Sequence, residues 1–81
     1  MKILLFGVTR DITGKAELEL PPDKVKSLGK VEDLKEFLVG EYPELKKLSS
    51  MAIAVNNKYA SGDTGIGQED EIALIPPVSG G

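Results

Sequence analysis

The sequence predicts an α+β domain, a mixed sheet of four to five strands with one main helix packed on one face. Three observations carry this expectation. Short apolar runs of strand type recur along the chain, a single stretch beginning at Val31 changes to helical spacing, and the two most apolar runs stand at opposite ends of the 81 residues. Runs that are apolar on both parities need cover, so these two belong side by side in the middle of the sheet.

The first run covers residues 2–8. Ile3 and Leu5 would point one way and Leu4, Phe6 and Val8 the other, the pattern of a central strand covered on both faces. Thr9 to Gly14 then breaks the run as a polar connection. Ala16, Glu17, Leu18, Glu19 and Leu20 alternate, so the second strand has one buried and one wet face, and Pro21-Pro22 ends it. The short connection between the two strands suggests a hairpin.

Val31, Leu34, Phe37 and Leu38 form an apolar stripe at helical period, with Glu32 and Asp33 in the first turn, where the helix dipole favours anions. Gly40 is the expected stop. The start is irregular, because Lys30 stands where Ser, Thr or Asp would cap the helix. Pro43 is placed to begin a second helical turn, Glu44 to Leu48, with Leu45 and Leu48 facing inward. Ala52 to Val55 reads as a strand, Asn56-Asn57 as a turn of residues that tolerate positive φ, and Lys58 to Ala60 as a short returning strand. Ser61 to Asp70 is loop, and Glu71 to Ile75 is the final strand.

One substantial helix can cover only one face of such a sheet. The other face keeps Phe6, Ile75 and Tyr59 without cover, and an exposed apolar patch on a small domain usually marks a partner. A helix lying across a mixed sheet in the order β, β, α, β, (β), β is the ubiquitin-like β-grasp architecture.

Composition narrows the chemistry. There is no cysteine and no histidine, which removes disulfides, thiolate metal sites, cysteine nucleophiles and imidazole bases together. Hydrophobic residues at 41% and charged residues at 28% are globular values. A chain this short buries only roughly 60% of the surface exposed on unfolding, so a deep active-site cleft of its own is not expected. A net charge of −3, with lysines scattered among acids, argues against nucleic acid and for a protein partner with a basic surface. The apolar start is too short for a signal-peptide core and no stretch reaches membrane-spanning length, so the expected location is the cytoplasm.

Three motifs are weak. Gly7 to Ala16 follows a strand in the manner of a P-loop, yet six residues separate Gly7 from Gly14 and Ala16 stands where a magnesium-binding hydroxyl is required. Gly62, Gly65 and Gly67 miss the dinucleotide-binding spacing. Gln68-Glu69-Asp70-Glu71 reads as a solvated acidic turn rather than a metal loop.

The C-terminal stretch divides the chain into a β-grasp domain, 1–75, and an extended tail, 76–81, ending in Gly-Gly. Pro76 and Pro77 stiffen the exit from the last strand, and six residues reach ~20 Å at roughly 3.3 Å each. Composition alone leaves two readings open: a frayed terminus, or a thin tip that could thread a channel too narrow for any Cβ and present the Gly81 carboxylate.

At this point the residues resemble a known family. D-E-I-A-L-I-P-P-V-S-G-G (70–81) is similar to the terminus of the small, sulfur-carrying subunit of molybdopterin synthase, and V-N-N-K (55–58) and R-D-I-T-G (10–14) look like two further family stretches. The resemblance implies a non-catalytic sulfur-donor subunit of a sulfurtransferase, molybdopterin synthase, with the catalytic pocket on the large subunit. A ubiquitin-activating-type enzyme would use ATP in trans to adenylate Gly81, and a sulfur donor protein would convert the adenylate to a thiocarboxylate. The tail, Pro76, Pro77, Val78, Ser79 and Gly80, would then insert into the large synthase subunit, within a heterotetramer. There the sulfur would attack cyclic pyranopterin monophosphate on the way to the molybdopterin dithiolene. No cofactor or metal is expected on the carrier itself. The family docks through its open sheet face, and the matching positions are Phe6, Tyr59 and Ile75. Alternatives on the same fold are a carrier for thiamine or tRNA thiolation, and a protein modifier conjugated through Gly81.

Overall fold

The computed structural model describes residues 1–47 and 51–76. Along the chain lie β1 (Lys2–Leu5), α1 (Val8–Thr13), β2 (Glu17–Glu19), α2 (Pro22–Leu28), α3 (Val31–Glu41), a 3₁₀ turn (Pro43–Lys47), β3 (Ala52–Val55), β4 (Lys58–Tyr59) and β5 (Glu71–Ile75). The strands form one mixed sheet in the order β2-β1-β5-β3-β4. The two most apolar runs meet at its centre as expected, in parallel, with Ile3 beside Ile72 and Leu5 beside Leu74. On the face these side chains share they meet Val25 of α2, Val31, Leu34 and Leu38 of α3, and Leu45 of the 3₁₀ turn in one core. Ile3, Leu34, Ile72 and Leu74 are fully buried.

The first connection differs from the expected strand and loop. β1 stops at Leu5, and Val8 is the first residue of α1 instead of a strand residue. Gly7 turns the chain at φ +54, and its carbonyl accepts the amides of Arg10 and Asp11. The Thr9 hydroxyl, buried with its residue, donates to the Phe6 carbonyl. These local bonds outweigh the strand preference of Val8 and Thr9. β1 and β2 nevertheless pair antiparallel, Lys2 opposite Glu19 and Leu4 opposite Glu17, so the two-strand prediction holds around a helical connection.

Pro21-Pro22 does end β2, but Pro22 also opens α2. Proline suits the first helical turn, where its missing amide would have had no partner. This helix escapes a periodicity reading because it buries little beyond Val25. The covered face therefore carries several helical segments instead of one. The expectation that β1 is covered on both faces also fails: Ile3 and Leu5 are buried, whereas Leu4 is half-buried and Phe6 is 49% exposed.

α3 runs through Gly40 to Glu41, and the Tyr42 amide closes its end on the Leu38 carbonyl. Its start explains Lys30. No side chain caps the helix, because the Val31 and Glu32 amides donate to the carbonyls of Thr64 and Gly62, both at 2.9 Å. The loop from 61 to 70 thus satisfies two of the free amides of the helix start, and that of Glu32 is one an N-cap side chain would otherwise take. Asn56 and Asn57 turn β3 into β4 at φ 51 and 69, as their type predicts. Leu45 is buried as expected, and Leu48 lies outside the described residues.

Candidate functional site

Strand alternation places Leu4, Ala73, Ala54 and Tyr59 on the face turned away from the helices, in neighbouring strands of the β1-β5-β3-β4 order. Phe6 continues β1 on that face, and Ile75 ends β5 beside it. Together with Asn57 and Glu71 these residues line a groove of about 280 Å³. The three docking candidates, Phe6, Tyr59 and Ile75, therefore share one surface. Tyr59 is 76% exposed and Ile75 half-buried. The parity of β1 already placed Leu4 with Phe6. Ala54 and Ala73 were missed because alanine gives no patch signal, yet their small side chains leave the floor of the groove low.

The face is graded along the strands. At one end Glu71 stands beside Lys2 in the parallel register, and the Lys2 ammonium lies 3.7 Å from the Glu17 carboxylate. Such an exposed pair adds little stability. Toward the other end the surface is apolar, through Leu4 and Ala73 to Phe6 and Ile75. Pro76 follows Ile75 there, outside the ladder, so the chain leaves the sheet at the apolar end. Pro77, Val78, Ser79, Gly80 and Gly81 lie outside the described residues.

The β3–β4 turn beside the groove is braced from the side. Asn56 donates through Nδ2 to Asp70 Oδ1 at 2.8 Å and accepts the Glu71 amide on Oδ1 at 2.9 Å. The other Asp70 oxygen accepts the Gly67 amide at 2.8 Å. Asp70 is thus a brace in the acidic turn and not merely a solvated charge. Spacing offered no signal for this pairing, because Asn56 and Asp70 are 14 residues apart. The P-loop-like stretch is occupied by α1, with Gly7 and Gly14 as its two ends. Among the described residues no group of His, Cys, Asp and Glu could hold a metal ion, and no helix is long and apolar enough to cross a membrane.

Sheet order, helix placement and an open face leading to a C-terminal exit define a domain of the ubiquitin-like β-grasp class. The chain belongs to the ThiS family, whose model matches residues 3–81. It is 40% identical to the molybdopterin synthase sulfur carrier subunit of Dictyostelium discoideum, over 99% of this chain and 94% of that one. It is 34% identical to the Arabidopsis thaliana protein of the same name, over 100% of this chain and 82% of the other. Among solved structures it resembles the small archaeal modifier protein 1 of Methanosarcina acetivorans. That match has a TM-score of 0.76 and 28% identity, covering 99% of this chain and 94% of that one.

Proposed function

We propose that the chain is the sulfur carrier subunit of a molybdopterin synthase. The observation that supports this most directly is the full-length match to relatives of that name, in a fold whose apolar groove runs to the tail exit at Pro76. In this reading Gly81 bears the reactive carboxylate. An adenylating enzyme of the ubiquitin-activating type binds and consumes ATP, so the carrier needs no nucleotide site: the Gly81 carboxylate attacks the α-phosphate, pyrophosphate leaves, and the resulting acyl adenylate has AMP as its leaving group. Sulfide-level sulfur delivered by a donor protein attacks the acyl carbon and displaces AMP, leaving a thiocarboxylate whose ionised sulfur is a strong nucleophile. Glycine at the last two positions removes every Cβ from the path of the tip. The large synthase subunit docks on Phe6, Tyr59 and Ile75, receives the tail from Pro76 to Gly80, and holds the cyclic pyranopterin monophosphate. Two sulfur transfers complete the dithiolene.

The test is an intact-mass measurement after incubation with the adenylating enzyme, ATP and a sulfur donor. The chain should gain about 16 Da, oxygen exchanged for sulfur at one activated acyl group. Deleting Gly81 should abolish both the gain and sulfur transfer while leaving the melting temperature unchanged; sulfur transfer by the truncated chain would overturn the assignment. The likeness to a small archaeal modifier protein favours one second reading, conjugation of Gly81 to lysines. That activity would appear as a ladder of higher-mass species on a denaturing gel.

A further inference from the structure

We infer that Gly7 is a positioning residue for the tail: the turn between β1 and α1 forms a seat for Pro76 and sets the direction in which the chain leaves the sheet. A Cβ at Gly7 would stand 2.9 Å from Cγ of the Pro76 ring, closer than packed carbons approach, so the ring fits only because the side chain is missing. The φ of +54 at Gly7 independently favours glycine. The seat is also held in place. The Gly7 carbonyl accepts from the Arg10 and Asp11 amides, and the preceding Phe6 carbonyl accepts both the Thr9 amide and the buried Thr9 hydroxyl. Phe6 lines the groove and Gly7 carries Pro76, so one rigid turn joins a docking residue to the origin of the tail.

The functional part of this inference rests on the carrier reading above; the geometric part does not. The chain contains no cysteine, so Ser79→Cys provides a single point for a nitroxide label. Paramagnetic broadening of the backbone amides then reports where the tail points. Gly7→Ala and Pro76→Ala should each move the broadening to a different set of amides while the shifts of the sheet persist. An unchanged pattern in both variants overturns the inference. Should Gly7→Ala fail to fold, Pro76→Ala alone decides, since it removes the ring without touching the turn.

The functional arm uses the thiocarboxylate-loaded chain with the large synthase subunit in a single turnover. Because displacing reacting groups by about 1 Å can cost 10²-fold, Gly7→Ala should slow transfer by about ten-fold or more, with the complex's Kd held within about two-fold. Adding Pro76→Ala to Gly7→Ala should cost little further rate, because both changes break the same contact. Native rates in Gly7→Ala, equal losses of binding and transfer, or purely additive effects in the double variant would overturn the assignment. If the unaltered chain transfers no sulfur, the carrier reading fails, and the broadening pattern still decides whether Gly7 aims the tail.

Discussion

Leu34 and Tyr59 show how differently two apolar residues of this chain are used. Leu34 is fully buried where α3 meets the central strands, and truncation there removes packing that a domain of this size cannot easily replace. Leu34→Ala should cost about 2–5 kcal/mol, read as a lower urea midpoint with an unchanged slope. Tyr59 makes its ladder bonds through the backbone while its ring is 76% exposed. Tyr59→Ala should leave the same midpoint nearly unmoved, within about 0.5 kcal/mol, yet weaken binding to the large synthase subunit, measured by titration calorimetry. A large stability loss with binding intact would overturn the docking role proposed for Tyr59. Asn56 belongs with neither, since its side chain joins two segments by polar contacts that no periodicity displays.

At the scale of elements, the long loop between β4 and β5 is a structural partner of α3. Its Gly62 carbonyl takes the Glu32 amide, one of the two that an N-cap side chain could serve, so Lys30→Ser should gain less than the roughly 1 kcal/mol typical of a cap at an unsatisfied helix start. A full gain in thermal unfolding would show that the loop's bonds contribute little. The same element marks the limit of what the sequence displays. α3 was legible because Val31, Leu34 and Leu38 keep helical spacing, and β3 and β5 because they are short apolar runs bounded by turn or loop residues. α1 was hidden because its stabilisation comes from Thr9 and the Gly7 turn, which are local polar features with strand-like composition. α2 was hidden because one buried valine does not make a stripe. The open face was readable from the parity of Leu4 and Phe6, whereas its floor of Ala54 and Ala73 needed the strand order to be known.

For the molecule as a whole, the parallel pairing of β1 with β5 has a mechanical meaning. β5 occupies the centre of the sheet, bonded to β1 on one side and to β3 on the other, and it runs directly into Pro76. A pull along the chain beyond Pro76 acts parallel to β5 and loads both ladders in shear, so their hydrogen bonds resist together instead of opening one at a time. Resistance to such a pull is a property of the unfolding barrier, not of the net stability, and can be high even in a small domain. A partner that grips the end of this chain would therefore tow the whole domain rather than unravel it.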